Sequence, residues 1–339
     1  MGIIVGAYPN SPARDEWNPS SEEEYFQRLG QLPGFRGLEL PWIGTLHPHD
    51  DGWLLDHLDA RWDLVLTNIR YSTLTVARSP NHGLASDDEG ERRAAVENVR
   101  RMNEGVKRLN DAAGRRAVIA IEFQAAPQRG STASLARSLD SIDELDWEGA
   151  SLLIEHCDAL VPEHPPTKGF LTLEEEIAAI RSSATPFGIS LNWGRSALEL
   201  RSADRVVDHV RRATDEGLLR SIVFSGVSDV DSSYGQAWAD THLPFGATDG
   251  FDKTEDTSLL SVDQASSALA AAGELDWVGL KVSWRPREVS MAERVELIRQ
   301  TITIVEQAAA NAGIETIESR SGDGWVAGSR RRIQSGPGR

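Results

Sequence analysis

Three glutamates and one lysine sit inside short apolar runs, where ionised side chains are costly to bury. They are Glu39 in Gly37–Pro41, Glu122 in Val118–Gln124, Glu155 in Ser151–His156 and Lys281 in Val278–Ser283. Side chains alternate along a strand. That period sets Glu39, Glu122, Gln124, Glu155, Asn192, Ser225, Lys281, Ser283 and Arg285 on one face. Opposite them fall bulky residues such as Leu40, Ile119, Phe123, Ile154, Leu191, Phe224 and Leu280. An interior with three carboxylates and a lysine must pair them, bind a charged ligand or use them in chemistry. Gly188, Ser190 and Gly279 leave space on that face, and the polar set gathers toward the strand ends. A ligand pocket is therefore expected, with a salt-bridged plug as the alternative.

The residue types point to proton transfer. A glutamate, Glu155 or Glu122, would move a proton at a carbon beside a carbonyl. Lys281 has two readings. Deprotonated in an apolar site it would be a base or Schiff-base nucleophile. Paired with Glu155 or Glu122 it stays charged and stabilises an enolate, which is the favoured role. Glu39, Gln124, Asn192, Arg195, Ser225 and Arg285 are the candidate substrate-binding groups, with Trp42 as an aromatic surface for a sugar ring. His156 joins them only if its strand ends there, because alternation points it off the axis. His47 and His49, beside Asp50 and Asp51, have a metal-like spacing without a third ligand. A turn with Asp50 capping a helix explains them at least as well. Glu122 and Glu155 would also serve a glycosidase if they faced each other across a cleft. The sequence contains no phosphate-binding glycine loop, nucleotide fingerprint or nucleophile elbow.

The elements that must position these groups are eight strands: Ile3–Tyr8, Gly37–Pro41, Leu64–Ile69, Val118–Gln124, Ser151–His156, Gly188–Asn192, Ser221–Ser225 and Val278–Ser283. Amphipathic segments lie between them. Arg92–Ala113 carries Val96, Val99, Met102, Val106 and Leu109 on one helical stripe. Thr172 with Glu175, Ser261 with Gln264 and Ser290 with Glu293 fit helix-start capping boxes. Repeated strand and helix predict a single (β/α)₈ barrel over residues 1–318, rather than an open doubly wound sheet. Residues 319–339, rich in Gly, Ser and Arg, read as a tail without fixed structure. Long connections follow strands three (from Arg70), five (Leu160–Leu171) and seven (from Val227), on the side that carries barrel active sites. The last holds Tyr234, Trp238, His242, Phe245 and Phe251. It is either a lid over a ligand or an insertion packed on the rim.

Composition narrows the partners. A net charge of -17 over 339 residues disfavours nucleic acid and anionic membranes. One cysteine, Cys157, precludes an intrachain disulfide. The start has no signal-peptide pattern, and no apolar run is long enough to cross a bilayer, so a cytoplasmic protein is expected. The expected partner is a small polar substrate, a carbohydrate by preference; a homo-oligomer is compatible with the sequence.

The segments Gly37-Leu38-Glu39-Leu40, Leu153-Ile154-Glu155-His156 and Leu191-Asn192-Trp193-Gly194 resemble the xylose-isomerase-like barrels. These are sugar isomerases, ketose 3-epimerases and related endonucleases, and the resemblance runs over Gly2–Ala308 in element order. Val5-Gly6-Ala7-Tyr8, Leu38-Glu39-Leu40-Pro41-Trp42, Glu155-His156-Cys157-Asp158-Ala159-Leu160, Asn192-Trp193-Gly194-Arg195-Ser196 and Trp284-Arg285-Pro286 are similar to a mainly actinobacterial domain-of-unknown-function family. The superfamily resemblance implies a divalent metal held by carboxylates and a histidine from strands five to eight. Glu155 matches the first ligand. Asn192 stands where aspartate is usual, Phe224 or Ser225 where histidine is usual, and Lys281 where glutamate is usual. An ammonium there would repel a cation. No metal or other cofactor is therefore expected, and Lys281 supplies the positive charge. The resulting expectation is a metal-independent isomerase, epimerase or carbon–oxygen lyase on a sugar or keto-sugar. A metal-dependent isomerase or epimerase, a glycoside hydrolase and a non-catalytic sugar-binding barrel are the alternatives.

Overall fold

The computed structural model describes residues 2–314, so the tail expected at 319–339 lies outside the described residues. Eight parallel strands close into a barrel in sequence order. They are β1 (Ile3–Val5), β2 (Phe35–Pro41), β3 (Asp63–Thr67), β4 (Val118–Phe123), β5 (Ser151–His156), β6 (Gly188–Asn192), β7 (Leu219–Phe224) and β8 (Trp277–Leu280). Around them run α1 (Pro19–Leu29), α2 (Asp51–His57), α3 (Ile69–Val76), α4 (Glu89–Ala113), α5 (Thr132–Asp143), α6 (Leu173–Ser182), α7 (Trp193–Leu200), α8 (Val206–Asp215), α9 (Val262–Ala272) and α10 (Met291–Asn311). No described helix is long and apolar enough to cross a membrane.

Local chemistry sets the boundaries. Thr172 and Ser290 form reciprocal capping boxes with Glu175 and Glu293. Ser261 caps α9 from one side only, accepting from the Gln264 amide. Asp50 caps α2, as the turn reading of His47 and His49 expected. The stripe of α4 is buried at Val99, Met102, Val106 and Leu109. The connection expected to start at Arg70 begins instead with α3, because β3 stops at Thr67.

Alternation divides the strands as expected at most positions. Leu38, Leu40, Ile121, Phe123, Ile154, Leu191, Phe224 and Leu280 join the core between barrel and helices. A separate plug of Ile4, Val65, Ala120, Leu153, Val223 and Trp277 fills the amino end of the barrel. Each large side chain there contributes roughly 1.5–3 kcal/mol by burial. The start of β4 breaks the pattern. Val118 packs outward and Ile119 against the plug, the reverse of strict alternation, where the β3–β4 register shifts. Above the plug the interior turns polar.

Candidate active site

The polar interior opens at the carboxyl ends of the strands into a cavity of about 700 Å³. Tyr8, Glu39, Lys168, Arg195, Asp240 and His242 lie along it, with Arg14, Arg70, Arg285 and Arg287 also contributing to its lining. Two glycines permit this packing. A Cβ on Gly6 would stand 3.1 Å from Lys281 Cε and 3.3 Å from Glu39 Oε2, so its absence leaves room for that pair. A Cβ on Gly194 would fall 2.4 Å from the Ser225 carbonyl, so glycine lets α7 approach the end of β7.

Lys281 is fully buried, with Nζ 2.6 Å from Glu39 Oε1, 3.8 Å from Glu155 Oε1 and 5.5 Å from the centre of the Tyr8 ring. Burial pulls its pKa down, but Glu39, Tyr8 and Glu155 together raise it well above the ordinary lysine value. It is an ammonium, which removes the Schiff-base reading. Burial raises the Glu39 carboxyl above the usual range, with Lys281 opposing. Burial holds the Tyr8 phenol up to about 12, so it remains a neutral donor.

Both carboxylate oxygens of Glu155 are engaged. Arg195 Nη1 donates to Oε1, while Gln124 Nε2 (2.7 Å) and Thr67 Oγ1 (3.2 Å) donate to Oε2. Burial pushes its pKa up, but Arg195 and Lys281 bring it below the ordinary value. Glu155 therefore lies under the cavity as the anchor of two cations and does not line it. Glu122 is deeper still. It is fully buried, accepts from Ser190 Oγ at 2.7 Å and is raised well above the ordinary range by burial beside Glu155 and Glu39. Neither occupies the position expected of the proton-moving group. Glu39, expected only to bind, does face the cavity.

Other candidates take supporting places. Asn192 caps α7 by accepting from the Arg195 amide at 3.2 Å, which fixes the start of the helix that carries Arg195. Ser225 Oγ lies 2.8 Å from His242 Nδ1, and Ser283 Oγ donates to the Thr241 carbonyl at 2.8 Å. Arg285 lines the cavity and sits over the Tyr234 ring at 5.5 Å. Two candidates leave the site. Trp42 is buried against α4, donating from Nε1 to Asn98 Oδ1 at 2.9 Å. His156 points outward between Glu176 (2.8 Å) and Glu199 (3.0 Å), because alternation holds to the end of β5. Burial lowers its pKa, but the two carboxylates raise it to about 10, so it is an imidazolium in a carboxylate clamp.

Sequence reasoning missed the groups that loops deliver. Asp240 accepts from Lys168 Nζ and lies 3.3 Å from Arg195 Nε and, through Oδ1, 3.4 Å from His242 Nδ1. Burial would raise it, but Lys168, His242 and Arg195 hold it well below the ordinary carboxylate range. Burial lowers His242 to about 3, so its imidazole is neutral at the cavity wall. Asp240 and His242 belong to the loop after β7. That loop otherwise packs on the rim, with Phe245 buried against Phe224 and Trp238 under Arg201. His47 and His49 also line the cavity, and His47 Nδ1 is used locally, accepting from the Asp50 amide at 3.1 Å.

The donor set at the usual superfamily metal position does not fit a divalent cation. Two protein cations, Lys281 and Arg195, already sit on Glu155, and Asn192 spends its oxygen as a helix cap. Among the described residues, His156, Glu199 and His209 form the one three-residue cluster close enough to hold a metal. That cluster lies outside the barrel, and both nitrogens of His156 are taken by carboxylates.

Residues 4–297 match the family described as a domain of unknown function (DUF4862). An uncharacterized protein of Salmonella typhimurium is 33% identical over 316 residues, covering 91% of this chain and 97% of its own. It gives no support to a mainly actinobacterial distribution. The chain has the fold of the xylose-isomerase-like sugar isomerases and epimerases. A structure of L-ribulose 3-epimerase superimposes with a TM-score of 0.54 at 13% identity, covering 95% of this chain and 100% of that one. D-psicose 3-epimerase, solved with D-fructose, gives 0.53 at 14% identity, covering 85% and 92%.

Proposed function

The chain belongs to the DUF4862 family, and from that premise we propose that it is a proton-transfer enzyme acting beside the carbonyl of a sugar or keto-sugar derivative, without a bound metal. It would be an isomerase, epimerase or carbon–oxygen lyase. One observation carries this reading: of the three interior glutamates, Glu39 alone lines the cavity, with a raised pKa and a buried ammonium 2.6 Å behind it. A carboxylate raised toward neutrality is a stronger base than an exposed one.

Glu39 takes the proton from the carbon next to the carbonyl, and the C–H electron pair moves into the enediolate. Arg195 donates to the oxygen that gains charge, in a site where neighbours already fix the guanidinium. Neutral His242 exchanges a proton between substrate oxygens, its ring held by Ser225 and Asp240. Returning the proton to the neighbouring carbon isomerises the sugar; inverting the centre takes a second proton on the opposite face, supplied by cavity water while Glu39 keeps the one it removed. Lys281 acts through Glu39, keeping it ionised at neutral pH, and is a positioning residue. Glu122 and Glu155 do not line the cavity, which weighs against a glycosidase pair.

The test is Glu39→Gln, assayed for interconversion across a panel of ketoses and aldoses. A loss of about 10²–10⁴-fold in kcat in a folded variant is expected from removing the base. A folded Glu39→Gln that keeps full turnover removes the main support for this reading. Binding without turnover by the unaltered chain across the panel favours a non-catalytic sugar-binding barrel instead.

A further inference from the structure

The cavity also carries a charge that proton transfer does not use. Arg14 follows β1, Arg70 opens α3 after β3, and Arg285 and Arg287 follow β8; all four line the cavity. Among the described residues, none has a carboxylate within 4.0 Å, whereas Arg195 and Lys168, which also line the cavity, do. Their recorded side-chain hydrogen bonds go to backbone carbonyls, from Arg14 to Pro9 and from Arg285 to Trp284. Burial and repulsion from Arg287, Arg285 and Arg70 lower the Arg14 pKa, so the four lie close enough to feel one another. The carboxylates that share the cavity are engaged elsewhere: Glu22 by Ser11 and the Ala13 amide, Glu39 by Lys281, and Asp240 by Lys168 and Arg195. Asp15 acts on Arg14 and Arg285 from a distance, but its carboxylate is paired with Arg294 at 3.0 Å, so in a chain of net charge -17 the four guanidiniums make a locally positive cavity mouth. Such a mouth attracts and holds anions.

We infer that the substrate is an anionic sugar, whose phosphate or carboxylate is held by Arg14, Arg70, Arg285 and Arg287 while its carbonyl end meets Glu39. This rests on the proton-transfer reading for the position of the carbonyl, and on the arginines alone for the anion. Guanidinium groups bind phosphate and carboxylate by paired N–H donors, and several around one group suit a polyoxygen anion. The two sources share this chemistry and differ in charge and oxygen count.

The experiment is calorimetric titration of the full chain at low ionic strength with four probes: inorganic phosphate, a ketohexose, its 6-phosphate and the corresponding keto-uronate, which carries a carboxylate at C6 and keeps the ketone. The expected result is measurable phosphate binding, at least ten-fold tighter binding of one anionic sugar than of the neutral ketose, and an affinity that falls as salt is added. The 6-phosphate and keto-uronate arms show which anion is preferred. Arg70 and Arg287 have no recorded side-chain partner among the described residues, so Arg70→Ala/Arg287→Ala is expected to fold and to cut the anionic-to-neutral ratio at least ten-fold. Glu39→Gln is expected to keep that ratio while losing proton exchange. Equal affinity for neutral and anionic sugars, no binding of any anion, or a ratio untouched in the arginine variant overturns the inference. Anion preference without any proton exchange in the unaltered chain would instead count against the proton-transfer reading alone.

Discussion

Lys281→Met removes one buried cation while keeping the length of the side chain. Lys281 and Glu39 are 0% and 1% exposed in their side chains, so little water can stand in for the missing partner on the buried side of Glu39. Breaking a buried ion pair by deleting one member costs about 3–5 kcal/mol. For a domain of this size, at roughly 2–3 °C per kcal/mol, that is a fall in Tm of roughly 6–15 °C. The loss depends on pH. Without Lys281 the folded-state pKa of Glu39 rises further above its ordinary 4.5. A carboxyl whose folded pKa is raised carries no penalty below the unfolded value, and the penalty grows with pH until the folded pKa is passed. The variant should therefore differ less from the parent at pH 5 than at pH 8. Urea melts followed by circular dichroism at both pH values measure this. Lys281→Met/Glu39→Gln removes both charges and should recover more than half of the loss. A single-variant loss under about 1 kcal/mol, well below the cost of breaking a buried pair, would refute the reasoning. So would a pH-independent loss, or no recovery in the double variant.

Two further outcomes separate the site from its surroundings. His156→Gln leaves Glu176 and Glu199 buried without their cation and should cost about 3–5 kcal/mol near pH 6. Because the His156 pKa is raised to about 10, the parent's advantage is full below the ordinary 6.5 and fades as pH rises through 10, which urea melts at pH 6, 8 and 10 would show. Trp42→Phe strands the Asn98 oxygen and should lower stability by about 1–3 kcal/mol. Sugar affinity measured by calorimetry should not change in that variant, whereas a loss of affinity would return Trp42 to the site.

The barrel was legible because its signal is local. Period-two alternation and capping residues such as Thr172 and Ser290 depend on neighbours a few positions away. Alternation also set Glu39, Glu122, Glu155 and Lys281 inward together. It did not give their depth along the axis. Glu122 pairs with Leu153 in the strand register and Glu155 with Ser190, and that stagger decides which carboxylate meets the cavity. Stagger follows from closure of the whole barrel. Asp240 and His242 lie in a loop whose path is set by packing such as that of Phe245 on Phe224, so no spacing in the sequence announces them. Arg14, Arg70 and Arg287 come from three segments distant in sequence, and each alone reads as an ordinary surface arginine.

The central claim is metal-free proton transfer by Glu39 at the carboxyl end of the barrel. It is tested most directly by incubating the EDTA-treated protein with neutral and anionic ketoses in deuterated water. Proton NMR then follows the carbon next to the carbonyl. Deuterium should enter that position with the parent chain, persist in EDTA and disappear in Glu39→Gln. Exchange that stops in EDTA and returns with a divalent cation, or that survives in Glu39→Gln, would contradict the account.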